Sequence, residues 1–141
     1  MASSDELRDW QQRFAAIEPE IRSFVEEEGR FERVRREARD LADSFPDPTS
    51  RPPLAGLLLG VKDIFHVEGL PTRAGSRLPE DELEGDEGPA VGALAMAGCL
   101  IAGKTVTTEF AYFSPGTTRN PAAWALGIEA TPGGSSSGSA A

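Results

Sequence analysis

Two groups of residues in this chain could do chemistry. Lys62 stands in "GVKD", at the close of the apolar run "LAGLLLGVKDIF". Burial disfavours the charged form of a lysine, and a neutral amine can act as a base near neutral pH. At the other end, residues 131–141 read "TPGGSSSGSAA". Its serines offer hydroxyls, its glycines allow backbone angles other residues avoid, and a base beside a hydroxyl is the logic of an activated serine. Two readings of that stretch stand side by side. One is a disordered Gly/Ser tail, the usual meaning of such a composition. The other is a tight loop, stiffened at its entry by Pro132 and turning back toward helix at "SAA".

Lysine is scarce here: two lysines, Lys62 and Lys104, against twelve arginines. Lys104 closes "GCLIAGKT", residues 98–105, which fits the phosphate-loop pattern letter for letter. The physics rejects that match. A phosphate cradle needs its middle positions in a loop after a strand, with free N–H groups. Here those positions are Cys99, Leu100, Ile101 and Ala102, an apolar run suited to a sheet ladder, and a helix precedes it. Lys104 is therefore expected to be structural. His66, the single histidine, lies three residues after Asp63 and reads as an ordinary loop histidine rather than part of a triad. One histidine and one cysteine without ligand spacing give no support for a metal site, and no cofactor is expected.

The elements that must position these residues follow from patterning. Residues 1–45 read as helix. Leu7, Trp10, Phe14 and Ile17 form one apolar stripe, and a second helix with Pro19 in its first turn carries Ile21, Phe24, Val25, Phe31, Val34, Ala38, Leu41 and Phe45. The charge runs Glu26–Glu28 and Arg33–Arg36 read as solvated faces. "PDPTSRPP" is an extended connector. Residues 57–62 read as a buried strand, "GPAVGALAMAG" as a helix begun near Pro89 and stopped at Gly98, and "CLIAGK" as a second buried strand. In "TVTTEFAY", Thr107 or Thr108 could cap a short helix. Strand, helix, strand in this order predicts an α/β fold with a right-handed crossover.

Composition bounds the rest. The 141 residues suit one ordinary domain, and a net charge of -9 argues against nucleic acid or an anionic membrane as partner. Cys99 has no internal disulfide partner, which suits a reducing compartment, the cytoplasm. The start "MASSDELRDW" has no signal-peptide character, and no apolar run is long enough to span a membrane.

Taken together, "PLAGLLLGVKDIFHVEGLPTRAGSR", "GCLIAGKTVTTEFAY", "TRNP" and "TPGGSSSGSAA" resemble the amidase signature family, in family order from about Pro53 to Ala141. The resemblance implies a Ser-Ser-Lys triad that hydrolyses amide C–N bonds. It puts the family's lysine on Lys62 and its middle serine, preceded by a cis peptide bond, on Ser135. Ser137 stands where many members have glycine. The nucleophilic serine is implied past Ala141, in a further Gly-rich segment that also supplies the oxyanion hole. The expected organisation is therefore residues 1–52 as a helical region with its connector, and residues 53–141 as the front of an amidase domain, cut inside the signature. The implied fold is N-terminal helices followed by the first part of a mixed β-sheet with covering helices. The implied partner is a small-molecule amide, with a homo-oligomer as an open option. Two rivals stand beside an amide hydrolase: the amidase subunit of a glutamine-dependent transamidase, and a non-catalytic truncated relic that binds or assembles.

Overall fold

The computed structural model describes residues 4–141. The first three positions of the expected N-terminal helix lie outside that range. Helix α1 spans Ser4–Ile21 and α2 spans Arg30–Ser44. After the proline-rich connector come strand β1 (Leu58–Lys62), helix α3 (Pro89–Met96) and strand β2 (Leu100–Thr105). Two single-turn helices close the chain, α4 at Pro121–Trp124 and α5 at Ser137–Ala140. The two strands pair in parallel, as a strand–helix–strand unit requires.

β2 is the centre of the molecule, with all six residues buried. Successive side chains of a strand face opposite ways, and β2 uses both faces. Leu100 packs with Leu7, Val34 and Ala38 of the N-terminal helices, while Ile101 packs with Val61, Val67 and Val91 on the other side. Its register against β1 slips once: Leu59 pairs with Ile101, but Gly60 pairs with Gly103. This irregularity leaves Ala102 as the extra residue. β1 is less buried than its sequence suggests. Only Val61 is fully covered, and among the described residues β1 pairs with a strand on one side alone.

The N-terminal region departs from the expected pair of contiguous helices. Pro19 lies in the last turn of α1 rather than opening a second helix. There the Glu18 carboxylate accepts from Phe24 N–H at 2.6 Å and from the Ser23 hydroxyl at 2.5 Å. The chain turns out of the helix through Arg22, whose φ is 58°. Phe24 and Val25 then run along the free edge of β2. Phe24 bridges Thr105 in antiparallel sense, and Val25 N–H donates to Lys104 O at 2.8 Å. The 3.6-residue spacing of these apolar positions thus came from two different elements. The α1 stripe holds at Leu7, Trp10 and Phe14, and Ile17 is exposed.

Phe14 joins Trp10, Phe31 and Phe24 in a ring cluster with centroids 5.1–5.9 Å apart. The Arg30 guanidinium lies over Phe14 and Phe24 at 4.7 and 5.1 Å, a cation–π arrangement. The charge runs are not uniformly solvated. Glu27 pairs with Arg30 at 3.3 Å and Arg33 at 2.6 Å, and Arg33 donates to Ile101 O at 2.9 Å. Burial pushes Arg30 below its ordinary value, opposed by its bond to Glu27. Burial pushes Arg33 down as well, but the bonds to Glu27 and Glu37 outweigh it and hold Arg33 above. Glu26, Glu28 and Arg36 are exposed, whereas Glu27 is half-buried.

Candidate active site

Lys62 is the last residue of β1, and the parallel ladder places it opposite Thr105, the last residue of β2. The backbone continues the ladder one step further, with Asp63 N–H donating to Thr105 O at 3.0 Å. Because strand residues alternate, Lys62 and Asp63 leave the sheet on opposite faces. Lys62 is half-buried rather than fully buried. Its ammonium donates to Ser135 Oγ at 2.5 Å.

The serine loop is held by the chain that leaves β2. Ser135 O accepts from Thr108 N–H at 3.0 Å and from the Thr107 hydroxyl at 3.1 Å. Val106 O accepts from Gly138 N–H at 2.8 Å and from the Ser137 hydroxyl at 3.3 Å. Ser139 Oγ and Thr105 Oγ1 share a bond of 2.9 Å. Of the two readings of the Gly/Ser stretch, the ordered loop is the one observed. The Gly134–Ser135 peptide bond is cis.

Residues 105–108 therefore serve as a common reference for both groups. The β ladder fixes Lys62 against Thr105, and hydrogen bonds fix Ser135 against Thr107 and Thr108. Gly138 is required by close approach. A Cβ there would lie 2.0 Å from Ser23 O and 2.5 Å from Val106 N. Thr108 Oγ1 is the one buried side-chain polar atom among the described residues that lacks a hydrogen-bond partner.

Asp63 and Lys104 meet on the other face of the sheet. Lys104 Nζ lies 2.9 Å from Asp63 Oδ1 and donates to Thr72 Oγ1 at 3.0 Å. Asp63 also accepts from Arg73 N–H at 3.3 Å. Lys104 is thus consumed by a buried ion pair, and Leu100–Ala102 lie in a strand, so the phosphate-loop pattern has no cradle. Asp63 is committed to Lys104, which leaves His66 as a half-buried loop residue beside Gly85. The segment after β2 forms a 3₁₀ turn over Glu109–Ala111, with Thr108 at its N-cap position but no side-chain cap. Patterning did not reveal the roles of Asp63, Thr107 and Thr108. The available signal was their position beside Lys62 and just past a strand opposite it.

In chemical terms the site is an amine against a serine hydroxyl at the carboxyl end of two parallel strands, the usual place for a site in an open α/β sheet. Such a pair can pass a proton. Among the described residues no cluster of His, Cys, Asp or Glu is arranged to hold a metal ion, and no helix is long and apolar enough to cross a membrane.

Known proteins resemble the chain along nearly its whole length. The family model described as Amidase matches residues 5–141. A glutamyl-tRNA(Gln) amidotransferase subunit from Roseiflexus sp. (strain RS-1) is 36% identical over 135 residues, covering 92% of this chain and 26% of that protein. The corresponding subunit from Sulfurisphaera tokodaii is 36% identical over 138 residues, with 92% and 27% covered. Among solved structures, the peptide amidase of Stenotrophomonas maltophilia superimposes with a TM-score of 0.76 at 31% identity, covering 94% of this chain and 28% of that one. The chain thus spans about a quarter of the length of the curated relatives it matches. With its fold and nearly its whole length matched, the chain belongs to the amidase signature family.

Proposed function

We propose that Lys62 and Ser135 are the base and relay of a Ser-Ser-Lys amidase that hydrolyses the C–N bond of a small-molecule amide. The observation that supports this reading most directly is the Lys62–Ser135 contact. In its amine form, Lys62 accepts the Ser135 hydroxyl proton, and Ser135 in turn takes a proton from a second, nucleophilic serine. That serine attacks the amide carbonyl and an acyl-enzyme forms. The proton then returns from Lys62 through Ser135 to the departing nitrogen, and water releases the acid. The family resemblance assigns the nucleophile to a segment past Ala141.

The test is hydrolysis of simple aliphatic and aromatic amides by the protein expressed with whatever coding sequence follows codon 141. Lys62→Ala and Ser135→Ala should each lower turnover by about a hundred- to ten-thousand-fold, the usual contribution of a positioned proton-transfer group. Turnover that survives both substitutions sinks the assignment. A stop after codon 141 together with no hydrolysis would favour the non-catalytic relic.

A second reading has support from the relatives, which are amidotransferase subunits. On that reading the site frees ammonia from glutamine for transfer to an acceptor, and a partner protein is required. Ammonia release from glutamine that depends on added partner subunits would favour it, whereas hydrolysis by the protein alone would favour the amidase. The buried unpaired thiol of Cys99 suits the cytoplasm.

A further inference from the structure

We propose that Thr107 is a positioning residue whose hydroxyl sets where Ser135 presents its Oγ to Lys62. The proposal rests on the reading of Lys62 and Ser135 as a catalytic pair. Thr107 is 1% exposed, so its hydroxyl has no water to turn to. That hydroxyl lies 3.1 Å from Ser135 O and 3.0 Å from Thr108 O, so its one proton serves two carbonyls. Thr108 N–H approaches the same Ser135 carbonyl at 3.0 Å.

Two donors on one carbonyl fix the peptide plane that follows Ser135 and the position of its Cα, the base from which the side chain reaches Lys62. The serine loop has few other restraints near this point. Gly133 is held by the Thr131 hydroxyl at 3.2 Å, and the next anchor after Ser135 is the Ser137–Gly138 grip on Val106 O. Thr107 is rigidly placed, two residues past the end of β2, whose ladder also fixes Lys62. A threonine is stiff at χ1, so its hydroxyl carries the strand's position to the loop with little play. Removing the hydroxyl without changing the shape should leave the sheet in place and let Ser135 drift from Lys62.

The chain's two lysines make this measurable without activity. Lysine labelled with ¹³C at Cε gives one resonance from Lys62 and one from Lys104, told apart by Lys62→Arg. In Thr107→Val, the Lys62 resonance should shift while that of Lys104 stays, and in Thr107→Ser, which restores the hydroxyl, both should match wild type. A Lys62 resonance unmoved in folded Thr107→Val would overturn the proposal. So would a shift of both lysines together, which would mark a general structural change. If Thr107→Val does not fold, the wild-type protein decides. Its Thr107 hydroxyl proton should exchange slowly with water and show a cross peak to the Ser135 α-proton, and the absence of both overturns the proposal. Loss of amide hydrolysis plays no part in this test, so its failure and that of the amidase reading are separable.

Discussion

Asp63 follows Lys62 directly in the chain, yet its carboxylate belongs to Lys104, 2.9 Å away on the opposite face of the sheet. The pairing separates an acid from its neighbouring base. An Asp63 carboxylate free to reach the Lys62 ammonium would compete with Ser135 for it. With Lys104 and the Arg73 N–H as its partners, Asp63 is satisfied where it lies. The side chains of Asp63 and Lys104 are 1% and 4% exposed, so neither can fall back on water.

Lys104→Met should therefore destabilise the protein by about 3–5 kcal/mol, the cost of leaving one member of a buried ion pair uncompensated. The double variant Asp63→Asn with Lys104→Met removes both charges and should recover much of that loss. Urea unfolding of the three proteins checks this. ATP with magnesium should leave wild-type melting unchanged, since Lys104 has no free charge to offer a phosphate. A saturable rise in melting temperature would revive the nucleotide reading through binding linkage.

Glu27 and Arg36 looked alike in the sequence, as members of charge runs, but they should respond differently to alanine. Glu27 is 13% exposed at its side chain and ties Arg30 and Arg33 to the helix–strand interface. Glu27→Ala should cost about 1.5–3 kcal/mol, the range for hydrogen bonds to charged groups. Arg36 is exposed, and its replacement should stay within about 0.5 kcal/mol. Equal effects in chemical denaturation would refute the distinction.

The same contrast shows what the sequence could and could not carry. Periodicity found α1 and α2 because one face of each is buried. It misread Phe24 and Val25 because apolar spacing records burial, not the element that achieves it. They are covered by running beside β2. The strands β1 and β2 were legible from short apolar runs bounded by turn residues, and α3 from Pro89 and Gly98. Lys62 was legible as a candidate base because a lone lysine closes an apolar run. Ser135 was not separable from its neighbours by chemistry alone, and only the family resemblance singled it out. Asp63–Lys104 and Thr107–Ser135 join residues 41 and 28 positions apart, and no local pattern encodes such a pairing.

Cys99 should titrate late. Burial pushes its thiol up from the ordinary value. In the unfolded chain the thiol ionises near pH 8.5, while the folded protein keeps it neutral to higher pH. The folded state therefore binds the proton more tightly. Its stability advantage is complete below the unfolded value and is lost as pH rises toward the folded one. Native protein should react slowly with a thiol reagent at pH 8 and quickly in denaturant, and Cys99→Ala should flatten the alkaline fall in stability. Fast native labelling would refute the assignment of Cys99 as a buried packing residue.

Gly138→Ala should detach the serine loop. The added methyl would meet the backbone at Ser23 O and Val106 N, which no side-chain rotation can relieve. Overpacking of this kind costs about 1–3 kcal/mol. Here the clash falls on the Val106 N–H bond to Ser23 O, where α5 meets the end of β2. The Lys62 resonance should shift, and amide exchange should quicken at Gly138, whose N–H bonds Val106 O. Unchanged protection at Gly138 would mean that the loop's anchor lies elsewhere.

Assayed as these 141 residues alone, the protein should show no measurable amide hydrolysis. Ser135 Oγ is engaged with Lys62, which suits a relay. Ser137 and Ser139 are spent on Val106 O and Thr105 Oγ1. An oxyanion hole is implied only in the segment past Ala141, and the loss of a single such donor already costs about a hundred- to a thousand-fold. The measurement is product release from a panel of amides and esters, with Lys62→Ala and Ser135→Ala as controls. Turnover abolished by either substitution would make Ser135 the nucleophile and overturn its role as relay. Turnover indifferent to both would come from a contaminating hydrolase. Silence from the 141 residues, with activity once the following coding sequence is added, is the outcome that the relay assignment requires.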